Sequence, residues 1–241
     1  FWGTSNVLQW TSDAVFGAIK KELLFKNEWS AVGSVTSLDS KPDLEGIFSS
    51  IRTRAEEIDL FHASGLYGFF PVITEYNEVI ILDPSDFHTE LISLRFPELK
   101  DARVKSISDY FKPAGDIITL QISTLGPDVD KIFQLPGNKT GNSNMSAYIP
   151  GLASHCCEII AGKVTTEVRR CFGLERGTGR RYDFGTCEMP ELQSVQPIFE
   201  LLSAEERLGV ELTDQLEIKP EYSLISIFVH HPAASNGISS K

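Results

Sequence analysis

The chain has 241 residues, 41% of them hydrophobic and 23% charged, a composition that excludes a disordered or fibrous chain. A formal net charge of −11 excludes a nucleic-acid backbone as partner, since that contact relies on clustered Lys and Arg. No apolar run approaches the roughly 20 residues that span a bilayer, so no membrane partner is expected.

The opening "FWGTSNVLQW" has no basic stretch leading into an apolar core, so no secretory leader is expected and the localisation is read as cytoplasmic. From Ser12 the recurrence of Val15, Phe16, Ile19 and Leu23 predicts a helix capped by Ser12 or Asp13. A second helix is predicted over 43–63, with Leu44, Ile47, Phe48, Ile51, Ala55 and Ile58 on one face and Ser64-Gly65 ending it. "LYGFFPVI", "EVIILD" and "ELISLRF" read as strands, and the turn-rich "DPSDF" between the last two suggests antiparallel hairpins. "DIITLQIS" is a further strand, followed by a short helix opening near Pro127.

Residues 135–144, "LPGNKTGNSN", read as a flexible surface loop within one domain, because composition does not shift across them. A long helix is predicted over 146–171, with Leu152, Cys156, Ile159, Ile160, Val164 and Val168 on one face and Pro150 in its first turn. Pro197 starts another helix; Ser203 and Glu206 form a capping-box pattern, and Gly209 ends the turn that follows. "SLISIFVHH" alternates like a strand. Helices and antiparallel strands mix without a regular βα repeat, which predicts a single α+β domain over 1–241.

Four cysteines at 156, 157, 171 and 187 have no disulfide or C-x-x-C spacing and read as free thiols. His230 and His231 are neighbours on a strand and face opposite ways. No set of residues recurs at ligand spacing, so no metal is expected. Neither a G-x-S-x-G nor a nucleotide-binding glycine fingerprint occurs. Two residues carry a choice. Glu158, at the edge of the long helix's apolar stripe, is either a solvated boundary carboxylate or a partly buried one that takes an ammonium. Arg181 is either a surface arginine or a carboxylate clamp, since a guanidinium offers two parallel N–H donors.

Seven pieces then stand in a telling order: "LLFKNEW", "GLYGFFP", the helix around Glu158, "GRRYDFG", "FELLSAEE", "LGVELTD" and "SLISIFVHHP". Together they resemble the activation, S-adenosylmethionine-binding domain of cobalamin-dependent methionine synthase, over nearly the whole chain. The resemblance implies an α+β fold with a twisted antiparallel sheet surrounded by helices. It implies reductive reactivation as the function, with S-adenosylmethionine presented as methyl donor to cobalamin carried by a partner domain or corrinoid protein. It also implies a one-electron reductant such as a flavodoxin or ferredoxin-type protein, and a domain or subunit that does not turn over alone. No catalytic side chain of its own is implied.

The family's ligand loop, approximately R-P-A-P-G-Y-P-A-C-P-D-H, matches "RYDFGTCEMPEL". By that match Arg181 holds the ligand carboxylate, Gly185 lets backbone approach the ligand, and Asp183 stands where the family uses backbone contacts. Pro190 and Glu191 also fit, and Glu158 falls on the helix glutamate that helps place the ligand. The chain departs from the pattern at Phe184, Thr186, Cys187 and Leu192. It departs again at Lys20 or Lys21, where the family often has an acid, and at Asn236 and Gly237, where it has tyrosines. The alternative implied by these departures is a docking or capping module for a corrinoid protein that has lost S-adenosylmethionine binding.

Overall fold

The computed structural model describes residues 1–32, 42–98, 105–129, 131 and 145–234. Two short strands lead the chain, β1 (Gly3–Thr4) and β2 (Leu8–Trp10), then two helices, α1 (Ser12–Phe16) and α2 (Lys21–Asn27). The single helix expected from Ser12 is therefore broken. The extended backbone of Lys20 (φ −91°, ψ 97°) resets the helical phase, which leaves Leu23 45% exposed while Val15, Phe16 and Leu24 stay buried. The cap is Thr11, whose side chain accepts from the Ala14 N–H. Ser12 is withdrawn from capping because its hydroxyl donates to Asp59 and accepts from the Phe61 N–H.

Helix α3 (Leu44–Glu57) buries Ile47, Phe48, Ile51 and Ala55 along the stripe its periodicity requires. It stops well before residue 63, and Ile58 is 51% exposed rather than on that stripe. The reason is β3 (Ala63–Glu75), which starts early and takes Ser64 and Gly65 into the sheet. Gly65 is a packing glycine, not a helix stop: a Cβ there would lie 2.5 Å from the Val164 side chain.

Strands β4 (Glu78–Leu82) and β5 (Glu90–Arg95) extend β3 as the expected antiparallel meander, and β6 (Asp116–Thr124) pairs with its other side. Helix α4 (Ile149–Phe172) carries Pro150 in its first turn and closes at left-handed Gly173. Strand β7 (Arg180–Asp183) follows, then helices α5 (Val195–Leu201) and α6 (Ala204–Leu208). Strands β8 (Glu211–Leu212) and β9 (Ile218–Lys219) make a separate two-stranded ribbon. Strand β10 (Ser223–Val229) completes the main sheet, whose order is β5-β4-β3-β6-β10-β7, with β1 and β2 also on β3. All pairings are antiparallel, so the α+β expectation holds.

The expected capping box at Ser203 does not form. Ser203 is left-handed (φ 52°) and makes no side-chain cap, because N-capping needs an extended backbone there; Gly209 ends α6 as expected. Strand alternation divides the core into two layers. Leu66, Phe70, Leu120, Ile122, Ile225 and Ile227 meet α5 and α6 on one face of the sheet. Tyr67, Phe69 and Phe228 meet Val164 and Val168 of α4 on the other. A third cluster joins α1, α2 and α3 to the first half of α4 through Phe16, Trp29, Phe48, Leu152 and Cys156. The loop at 135–144, Asn236 and Gly237 lie outside the described residues, as do residues 130, 132 and 133 of the helix expected after Pro127, while Val129 and Lys131 make turn bonds to the Gly126 and Asp128 carbonyls.

Candidate functional site

Strand β7 is one outer edge of the sheet, and it occupies a stretch whose charges read as loop from sequence alone. Alternation sends Arg180 and Tyr182 to one face, where the guanidinium lies 4.6 Å over the phenol ring, and Arg181 and Asp183 to the α4 face. In the register with β10, Arg181 stands opposite Phe228 and Asp183 opposite Ser226. The approach to the strand is tightly constrained. Arg169 of α4 donates through Nε to the Thr178 carbonyl at 2.8 Å and through Nη2 to the Gly179 carbonyl at 3.2 Å. Gly179 is left-handed (φ +72°), and a Cβ there would lie 2.5 Å from the Phe228 ring and 2.7 Å from the Val229 carbonyl oxygen. Only glycine passes this point without strain.

Over this edge α4 brings Glu158. Arg181 Nη2 donates to Glu158 Oε2 at 2.5 Å and to Asp183 Oδ2 at 3.0 Å, while its Nε lies 2.7 Å from Asp183 Oδ1. Ser226, fully buried on β10, donates its hydroxyl to Asp183 Oδ1 at 2.6 Å. Burial works against the Arg181 charge, but the Asp183 and then the Glu158 carboxylate outweigh it and raise its pKa above the ordinary guanidinium value. The arginine side chain is 15% exposed and that of Glu158 58% exposed, so the open side of the cluster is a carboxylate. One cation and two anions leave it with a net charge of about −1. The neighbouring Cys157 thiol is pushed up to about 12, by burial first and by Glu158 second, and supplies no nucleophile near neutral pH.

Gly185 follows at once with φ +93°, and a Cβ there would meet open space, so backbone conformation rather than crowding calls for glycine. The turn is tied down by Phe184 N–H donating to the Ile225 carbonyl (3.1 Å) and by the Thr186 hydroxyl donating to the Asp183 carbonyl (3.2 Å). Phe184 faces away from the cluster and, with Leu192 and Val195, lines a cleft of about 460 Å³ whose far wall is Leu216–Lys219, Glu221 and Ser223–Ile225. The loop thus straddles the sheet edge, with an ionic cluster on one side and a cleft of mixed polar and apolar lining on the other.

Of the residues singled out in the sequence, Glu158, Arg181 and Asp183 touch one another, and Gly185 adjoins them in the chain. Glu158 combines both of its sequence readings, a solvent-exposed carboxylate that is also gripped by an arginine. Lys21 is engaged elsewhere, 2.7 Å from Glu45 and over the Phe48 ring. His230 and His231 lie just past the end of β10 and not on the strand as expected; His230 stacks on Phe172 and His231 lies against Tyr110. Among the described residues, no three His, Cys, Asp or Glu side chains converge as a metal site, and no helix is long and apolar enough to cross a membrane. Ser226, Arg169 and Gly179 escape the sequence reading. The only available signal for Ser226 is a small polar residue alternating into a buried face.

The sheet, its order and its two helical layers define a class of protein. The fold matches the crystal structure of the MetH reactivation domain bound to AdoHcy, with a TM-score of 0.76 and 17% identity over 100% of this chain and 80% of that one. The family model described as vitamin B12 dependent methionine synthase, activation domain, matches residues 49–236, and the chain belongs to that family. It is also 22% identical to methionine synthase of Mycobacterium leprae (strain TN) over 274 residues. To methionine synthase of Mycobacterium tuberculosis (strain ATCC 25618 / H37Rv) it is 23% identical over 273 residues. Each alignment covers 97% of this chain and 22% of the relative, so the chain spans about a fifth of those proteins.

Proposed function

We propose that this domain binds S-adenosylmethionine at the Glu158–Arg181–Asp183 cluster and presents it to cobalamin carried by a partner domain or corrinoid protein, as a reactivation module. The observation that carries this reading is the cluster itself, built at the sheet edge beside Gly185 from residues that the sequence resemblance aligns with the family's ligand loop and helix glutamate. Its net charge of about −1 complements a ligand with a sulfonium, an ammonium and one carboxylate. The residues present therefore fit the group.

In this reading Arg181 takes the ligand carboxylate and Glu158 the ammonium. Gly185 leaves room for backbone to approach, and the cleft beyond Phe184 has the volume of a small-molecule site. S-adenosylmethionine supplies the methyl group when bound. The protein's share is positioning, since Cys157 is held protonated and no activated nucleophile adjoins the cluster among the described residues. Reduction of the corrinoid falls to a separate one-electron donor of the flavodoxin or ferredoxin type.

Isothermal titration of the folded protein with S-adenosylmethionine tests the reading. Saturable heat is expected, weakened at least about tenfold in Arg181→Ala, because a charged hydrogen-bond partner contributes ~1.5–3 kcal/mol. A folded wild-type protein that releases no heat would remove the reading and leave the docking module in its place.

A further inference from the structure

The forked contact between Arg181 and Asp183 does not sit easily with an open carboxylate clamp. A guanidinium offers a carboxylate two edges of paired N–H donors: the Nε–Nη2 edge already faces both oxygens of Asp183, and the Nη1–Nη2 edge carries the Glu158 contact through Nη2. The two acidic partners of Arg181 differ in how firmly they are held. Glu158 is 58% exposed on a helix surface and leaves by side-chain rotation. Asp183 is fixed on a strand paired to β10, accepts the buried Ser226 hydroxyl, and has its carbonyl bonded by Thr186.

We infer that Asp183 is a specificity-determining residue that occupies one of the two carboxylate-binding edges of Arg181 and competes with the carboxylate of an incoming ligand. This rests on the S-adenosylmethionine reading above and adds to it a selectivity. A cationic nucleoside without a carboxylate gains the field of Glu158 and Asp183 without displacing anything. An amino-acid nucleoside must either break the Asp183 pair or displace Glu158 from the end-on edge of the guanidinium. The wild-type site accordingly gains less from the ligand carboxylate than an open clamp would, and removing the Asp183 charge shifts the preference toward S-adenosylmethionine over its decarboxylated form. Asp183 thus acts through Arg181, and its effect falls on ligand discrimination more than on affinity as such.

The test is a pair of calorimetric titrations, with S-adenosylmethionine and with its decarboxylated analogue, on wild type, Asp183→Asn and Asp183→Asn/Arg181→Ala. The Asp183→Asn substitution keeps an acceptor for the Ser226 hydroxyl. The affinity ratio is expected to move at least about fivefold toward S-adenosylmethionine in the single variant and to return in the double variant. A ratio that does not move, or a parallel weakening of both ligands, overturns the inference; the latter would mean that Asp183 holds the ammonium. Binding of S-adenosylmethionine to wild type with an unmoved ratio removes this inference alone. Absence of binding to wild type and variant alike removes the functional reading as well. Ser226→Ala, which loosens Asp183 without removing its charge, should shift the ratio in the same direction by less, and serves if Asp183→Asn does not fold.

Discussion

At the scale of single residues, the candidate site depends on positions with no tolerance beside positions with some. Gly179 has none: its left-handed backbone and the Phe228 ring 2.5 Å from a would-be Cβ set two penalties at once. Gly179→Ala is expected to cost about 2 kcal/mol or more in chemical denaturation, the sum of backbone strain and overpacking. A loss within about 0.5 kcal/mol would mean that the chain reroutes into β7 at little cost. Gly185 differs, since open space surrounds it and only its φ of +93° selects glycine. Thr186, where the family pattern has a tyrosine, uses its hydroxyl to close the turn onto the Asp183 carbonyl.

Among the elements, α4 organises the molecule. Its two ends do different work: Leu152, Ala153 and Cys156 pack against the N-terminal helices, while Val164 and Val168 pack on the sheet. Between them Glu158 reaches the sheet edge. Just after α2, Trp29 is fully buried, stacks on Phe25 at 5.2 Å, and donates its indole N–H to the Tyr148 carbonyl at 2.9 Å, where α4 begins. Trp29→Phe should preserve most of the apolar contact but remove one of the hydrogen bonds to that carbonyl, which as the N-cap C=O also accepts the first intrahelical bond, at a cost of about 0.5–1.5 kcal/mol. Denaturation midpoints at unchanged m-value would register it; an unaltered midpoint would show that the hydrogen bond contributes nothing.

For the whole molecule, His230 stands at the end of the main sheet, just past the last residue of β10. Its ring stacks on Phe172 at the end of α4 and lies 3.3 Å from Asp116 of β6, with His231 and Lys112 also acting on it. Burial is the main cause of a pKa below the ordinary 6.5; Asp116 opposes the shift, while His231 and Lys112 add to it. The folded state therefore binds fewer protons than the unfolded chain just below that value. The contribution to stability is present above the ordinary value and is lost as pH falls through it toward the folded pKa. Between about pH 7.5 and about pH 5.5 the wild type should lose more thermal stability than His230→Gln. Equal losses would assign the acid sensitivity to carboxylates elsewhere.

Local patterns alone determined the α+β class, the span of α4 and the β3–β5 meander. Each follows from a residue period of 3.6 or 2, or from a turn residue, within one stretch of chain. The family's motifs singled out Glu158, Arg181, Asp183 and Gly185. What sequence patterns could not reach was decided by contacts far apart in the chain. The sheet captured Ser64 and Gly65 from an expected helix end, and β7 became a strand because β10 supplied its hydrogen-bonding partner. Likewise, Arg181 meets Glu158 across 23 residues and Asp183 meets Ser226 across 43, and only folding sets whether that arginine is open or already paired. Periodicity records which face a residue takes; the partner waiting on that face is a property of the closed fold.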